Sequence, residues 1–380
     1  LKSLEELIAR EFPQTGDLIY LNHAGVAPWP ARTAQAVKLF AEENVLTGAR
    51  NYSAWIRKED DLRLQLQRLI NAPSPDEIAL LKNTSEALSV VASGMDWQQG
   101  DNVVSTDQEF PSNRIVWQAQ KRYGVEFREV NISNVPDAEQ ALISACDKYT
   151  RIMAVSSVQF SSGFKLNLER LGEYCHTHNI HFCVDAIQSI GAYAMDVQQI
   201  HADFVMADAH KWMLGPEGIA LFYCSEQVRE RLTLHQFGWH MVEDYTNYDT
   251  RDWQIAASAR RFECGSSNML GIHALSASLS LIEEVGIEII EHKIRQNMDY
   301  LMENLELNPR IRLLTPRDAV QHAGIVTFII DGVDIAKLHR QLLENNIICA
   351  HRMRGIRFSP HFYTSQEKIY KALEILSINI

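Results

Sequence analysis

The sequence predicts an α/β protein with a mainly parallel central sheet in a large domain and a smaller α/β domain towards the carboxy terminus. Three observations lead there. Apolar runs of strand length alternate with helix-length segments from Ile78 onward, the pattern of parallel strands joined by crossovers. Two of those runs end in polar side chains suited to one crevice at the carboxyl edge of a sheet. The chain has 380 residues, 46% of them hydrophobic, enough for a large core and a companion unit. We place the large domain at 16–255 and the small one at 256–380, joined by residues 1–15.

The elements follow in order. Leu4 to Phe12 reads as a short helix. Thr33 to Leu46 and Ser53 to Ile70 read as longer ones, the latter with Ile56, Leu62, Leu66 and Leu69 at helical spacing. Strands are expected at Ile78–Leu81, Asn102–Ser105, Glu126–Val130 and Ile152–Val158, with helices at Glu86–Ser93 and Ile115–Tyr123 between them. The sheet continues through His181–Asp185, Phe204–Ala207 and Ile219–Tyr223. Helices at His273–Val285 and Ile287–Leu305 lead to the small domain, with strands near Ile325–Ile330 and Ile347–Ala350.

Several function classes are disfavoured. A net charge of −12 opposes nucleic acid and anionic membrane as partners. No run approaches the roughly 18 apolar residues of a membrane span, and Leu-Lys-Ser-Leu-Glu-Glu at the start lacks a signal-peptide pattern, so a cytoplasmic location is expected. The six cysteines (146, 175, 183, 224, 264 and 349) form no Cys-x-x-Cys pair, and disulfides are not expected. The His176-Thr-His-Asn-Ile-His181 cluster crosses from a helix end into a strand, and no metal site is expected there.

The chemistry centres on Lys211, in Asp203-Phe-Val-Met-Ala-Asp-Ala-His-Lys-Trp-Met-Leu-Gly-Pro-Glu-Gly218. A lysine just past a strand-like run, beside Trp212, Met213 and Leu214, is placed for desolvation, a lowered pKa and Schiff-base chemistry. Upstream, Ile180-His-Phe-Cys-Val-Asp-Ala-Ile-Gln188 ends in a carboxylate followed by an amide. Asp185, Gln188 and Lys211 at adjacent strand ends would face one pocket. A carboxylate opposite such a lysine is what pyridoxal 5′-phosphate (PLP) requires, because the anion keeps the pyridine nitrogen protonated.

Val184-Asp-Ala-Ile-Gln188 and His210-Lys-Trp-Met-Leu-Gly-Pro-Glu-Gly218 agree in type, order and spacing with a known family. The chain, from Tyr20-Leu-Asn-His-Ala-Gly25 to Arg357-Phe-Ser-Pro-His-Phe-Tyr-Thr364, resembles the class V aminotransferase family of fold-type I PLP enzymes, which includes cysteine desulfurases, kynureninases and isopenicillin-epimerase-like proteins. The resemblance implies that Thr84 and Ser85, at a helix start after a strand, bind the cofactor phosphate. It implies that His210 donates to that phosphate; Asp208 departs from the serine that cysteine desulfurases carry there and is read as orienting or protonating His210. It further implies that Phe110 stacks on the pyridine face and that Gln188 binds the phenolic oxygen. Ser266 resembles the segment that reaches the neighbouring subunit's phosphate, and Gly238-Trp239 and Asn268 are weaker candidates for the same shared site. A homodimer is therefore expected. Arg357 resembles the substrate-carboxylate arginine, and Asn22 and His23 the loop lining the substrate side, where His23 is a candidate acid–base group.

The resemblance implies a Cα carbanion formed from a small amino acid, with Lys211 as base over Asp185. It leaves the outcome open between lyase and aminotransferase- or epimerase-like activity. Cysteine desulfurases carry a mobile thiol on a loop before the carboxylate-binding arginine. The only nearby thiol is Cys349, whose Asn345-Asn-Ile-Ile-Cys-Ala-His351 setting reads as a strand end, so a desulfurase using Cys349 is the alternative. A non-catalytic PLP-fold binding subunit is the alternative of another class.

Overall fold

A computed structural model describes residues 4–133 and 135–378. A two-residue strand, Ile19–Tyr20 (β1), precedes the large sheet, made of Ile78–Leu81 (β2), Asn102–Thr106 (β3), Glu126–Val130 (β4), Thr150–Ser156 (β5), His181–Asp185 (β6), Phe204–Asp208 (β7) and Ala220–Cys224 (β8). Ile311–Leu313 (β9), Val326–Ile330 (β10), Ile347–Ile348 (β11), Ala350–Arg352 (β12) and Gly355–Phe358 (β13) follow in the carboxy-terminal part.

The seven-stranded sheet runs in the order β2-β8-β7-β6-β5-β3-β4. β7, β6, β5, β3 and β4 pair in parallel, while β8 is antiparallel to both β7 and β2. Two antiparallel steps return β2 to the direction of β7, so the end of β2 at Leu81 and the end of β7 at Asp208 both oppose Ala220 of β8. β7 and β8 are buried along their whole length, which is why they read as nearly unbroken apolar runs and not as alternating strands.

The second sheet is antiparallel, in the order β12-β13-β10-β9. One expectation needs correction here: Ile347–Ala350 is not one strand. The chain breaks at Cys349, with β11 pairing in parallel with β1 near the amino terminus and β12 joining β13 as a hairpin. The β11–β1 pair ties the start of the chain to its end. Helix Met269–Val285 packs on helices Ala31–Thr47 and Tyr52–Leu69, where Thr33 Oγ1 meets Ser278 Oγ at 2.7 Å and Ser276 Oγ donates to Gln65 Oε1 at 2.7 Å. A boundary between 255 and 256 therefore separates this helix from its packing partners.

Candidate functional site

The parallel strands end on one edge, and the chain spends its polar residues there. Asp185 closes β6 and is 2% exposed. Burial raises its carboxyl pKa, against a hydrogen bond of 3.1 Å from the Ile187 N–H to Oδ1. Lys211 follows β7, and burial lowers its ammonium pKa, with the Asp185 carboxylate pulling it back up and Arg357 pushing it further down. Each of these groups is close enough to alter the other's protonation. The amine is thus held towards its neutral, nucleophilic form.

Gln188 sits on the turn after Asp185, its Nε2 donating to the Ala24 carbonyl at 3.1 Å. The Phe110 ring faces Lys211, with Nζ 5.7 Å from the ring centroid, and it meets the Phe160 ring edge-on at 5.1 Å. It is 42% exposed. The loop under Phe110 is pinned by Glu109, a carboxylate that accepts from Thr106 Oγ1, Ser156 N and Gln159 Nε2 on one oxygen and from Asn113 Nδ2 and Ser156 Oγ on the other. Five donors on one buried anion explain how an exposed aromatic can have a fixed position.

The expected anion cradle is the start of helix Thr84–Gly94. Asn83 is its N-cap, Oδ1 accepting from Glu86 N at 2.8 Å. Capping therefore does not consume the hydroxyls of Thr84 and Ser85. Thr84 Oγ1 accepts from the Asp208 N–H at 3.1 Å, which fastens the cradle to the end of β7. Ser85 is exposed and its Oγ lies 2.7 Å from Ser112 Oγ. His210 Nδ1 is 3.0 Å from Asp208 Oδ1, off the hydrogen-bonding direction, and both atoms are sealed from solvent.

On the other wall, Arg357 lies on β13 and is 1% exposed. Nη1 donates to the Phe160 carbonyl at 2.6 Å and Nη2 to Asn22 Oδ1 at 3.3 Å, while Nε has no partner. No carboxylate among the described residues pairs with it. Burial, with nearby Arg352 adding to it, pulls its pKa down to about 9.

One expectation is corrected. His23 is not an acid–base group in the cleft. It is fully buried, with Nδ1 2.8 Å from the Ser359 carbonyl and Nε2 2.6 Å from Tyr363 Oη, and burial pushes its pKa down to about 4. Its work is to join the amino-terminal loop to the carboxy-terminal segment. Cys349 is buried, in keeping with its strand-end setting in the sequence. It is 5% exposed at the break between β11 and β12, and burial raises its thiol to about 12. The hairpin that follows turns through only Met353 and Arg354, both at positive φ (49° and 63°), which leaves no swinging loop before Arg357.

Trp239 and Ser266 do not join this cluster within the same chain. Trp239 packs on His240, Tyr245 and Tyr248, and Ser266 is exposed. The two loops meet where Gly238 abuts the Cys264 carbonyl, so they form one surface. The histidines of 176–181 also diverge: His178 Nδ1 lies 2.8 Å from the Tyr174 carbonyl and His181 Nδ1 3.0 Å from Asp203 Oδ2.

Sequence reasoning missed Glu109, Phe160 and the fixed partners of Gln188. None lies in a spacing pattern, because each acts through a contact formed by the fold.

Comparison with known proteins agrees with this geometry. The family model described as aminotransferase class-V matches residues 19–370. A probable cysteine desulfurase from Methanothermobacter thermautotrophicus is 30% identical, with 96% of this chain and 95% of the relative covered. The fold is similar to the apo structure of a cysteine desulfurase from Thermococcus onnurineus NA1, with TM-score 0.88, 24% identity and coverage of 100% of this chain and 98% of that one. It is also similar to the cystine C–S lyase C-DES in complex with its product cysteine persulfide, with TM-score 0.90, 24% identity and coverage of 97% and 99%. A buried amine beside a buried carboxylate that shifts its pKa, an exposed aromatic ring near the amine and a helix start suit PLP, and a match over nearly the whole length accounts for all four at once: the chain belongs to the class V aminotransferase family and is a PLP-dependent enzyme.

Proposed function

We propose that this enzyme removes sulfur from a cysteine-type amino acid, breaking the bond between the β-carbon and sulfur. The observation that carries the amino-acid part is Arg357. A guanidinium buried at the cleft without an internal carboxylate gains most from an external one, and its planar fork suits a substrate α-carboxylate. The sulfur part is supported by relatives and structural neighbours described as cysteine desulfurases and as a cystine C–S lyase.

Bound PLP supplies an electron sink for a substrate carbanion. The protein's residues do the rest. Lys211 Nζ, kept towards neutral by burial, takes the proton from the substrate α-carbon. Asp185 holds the ring nitrogen, Gln188 the phenolic oxygen, and Thr84, Ser85 and His210 the phosphate. Phe110 covers one ring face, while Arg357 and Asn22 fix the carboxylate end. A homodimer completes the site, with Trp239 and Ser266 facing the neighbouring subunit. The exposed side chains of Phe237, Tyr248 and Trp253 beside Trp239 support that surface as the contact.

The short hairpin and the buried Cys349 favour a lyase variant, in which sulfur leaves with the departing fragment without passing to an enzyme thiol. The experiment supplies cysteine with reductant, and cystine without it, to wild type and Cys349→Ala, and measures alanine, pyruvate and sulfide. Pyruvate that survives in Cys349→Ala supports the lyase variant. Alanine with sulfide that is lost in Cys349→Ala supports a desulfurase using this thiol. No release of sulfur from either substrate would sink the reading.

A further inference from the structure

Trp212 directly follows Lys211, is fully buried, and donates its indole Nε1–H to Gln188 Oε1 at 2.9 Å. An indole nitrogen can only donate, so the atom it meets on Gln188 must be the oxygen. On the other side, the amide nitrogen donates to the Ala24 carbonyl, which can only accept. These two one-way partners fix the orientation of the Gln188 amide, whose two ends are otherwise interchangeable in shape. Oε1 is turned away to the indole, and one N–H of Nε2 remains uncommitted. Trp212 itself is held firmly. Its carbonyl lies 3.2 Å from His361 Nε2, and its ring passes so close to Gly324 that a Cβ there would sit 2.7 Å from it.

We infer that Trp212 is a positioning residue: by occupying Gln188 Oε1 it presents the amide N–H, and not the carbonyl, to the phenolic oxygen of PLP. The inference rests on the placement of Gln188 given above and is independent of the substrate. A donor at the phenolic oxygen stabilises its ionised form and makes the cofactor–lysine adduct less basic. A carbonyl in that place would do the reverse.

The test is a spectrophotometric pH titration of the visible cofactor band in the holoenzymes of wild type, Trp212→Phe, Gln188→Ala and the double variant, with melting temperatures recorded alongside. In Trp212→Phe the midpoint rises by about one pH unit, the scale of one charge-assisted hydrogen bond, and kcat falls about tenfold. Gln188→Ala shifts the midpoint in the same direction, and the double variant goes no further than Gln188→Ala alone. A merely structural role would lower the melting temperature and leave the midpoint in place. The inference is overturned by an unmoved midpoint in Trp212→Phe, by an unmoved midpoint in Gln188→Ala, or by additive shifts in the double variant. Should Trp212→Phe not fold, Trp212→Tyr keeps the bulk while removing the indole N–H, and the same outcomes apply.

Discussion

Two buried arginines in this protein have opposite surroundings. Arg63, on helix Tyr52–Leu69, donates Nη1 and Nη2 to the two oxygens of Glu263 at 2.6 and 2.9 Å, and Nη2 also to Glu59. Burial pulls its pKa down, but Glu263 and Glu59 outweigh this and hold it above its ordinary value. Arg357 is more deeply buried, meets only neutral acceptors, and is pulled down. A buried cation whose anions belong to the chain is part of the frame. One with no anion of its own is, on the proposed reading, part of the site, where it lowers stability in exchange for ligand affinity.

The sharpest way to break this contrast is to remove each charge and compare stability with turnover. Arg63→Met leaves Glu59 and Glu263 buried without their cation and should cost about 3–5 kcal/mol, read as a fall in denaturant midpoint. The effect reaches the loop carrying Trp239, because His240 lies 3.7 Å from Glu59 and 3.5 Å from Glu263 in the same cluster. Comparable stability in wild type and variant would show that this network holds nothing in place.

Arg357→Leu should do the opposite. It removes an unpaired buried charge, so the denaturant midpoint should stay or rise. kcat/KM should fall about a hundredfold or more, the scale of a lost charge-assisted pair. Arg357→Lys should recover little, because an ammonium lacks the planar fork. A variant that loses stability and keeps its activity would move Arg357 from the site to the frame.

Legibility from sequence follows the same division. The strands and most helices are written locally in apolar runs, and Lys211, Asp185 and Gln188 are marked by their position just past strand ends. The strand, polar turn and helix start around Thr84 are likewise legible in the sequence. His23 was misplaced because a histidine beside an active-site loop looks the same in sequence whether it faces the cleft or, as here, Tyr363 and Ser359, more than 300 residues away. The break at Cys349 was hidden for a similar reason. Ile347 and Ile348 pair with Ile19 and Tyr20, so one apolar run serves two sheets. Glu109 reads as a loop acid until the fold brings five donors to it.

A finer form of the comparison concerns two buried histidines. His23 has partners on both ring nitrogens, whereas His322 is 4% exposed and has none on either among the described residues. Burial lowers both pKa values, with Asp299 pulling His322 back up and Arg295 and Arg317 opposing it. Because the unfolded chain then binds the proton more readily than the folded one, both residues make the fold progressively less stable as pH falls below the ordinary histidine pKa of about 6.5. His23→Phe should cost about 1–3 kcal/mol at pH 7 by removing the ring partner of the buried Tyr363 hydroxyl, while reducing the acid sensitivity; the Ser359 carbonyl keeps the backbone N–H of residue 23 at 3.2 Å. His322→Leu strands no partner and should stabilise by about 1 kcal/mol at pH 7, with a larger gain at pH 5. Urea titrations at both pH values read the difference, and a His322→Leu protein less stable than wild type at pH 5 would mean that this ring is held by a partner after all.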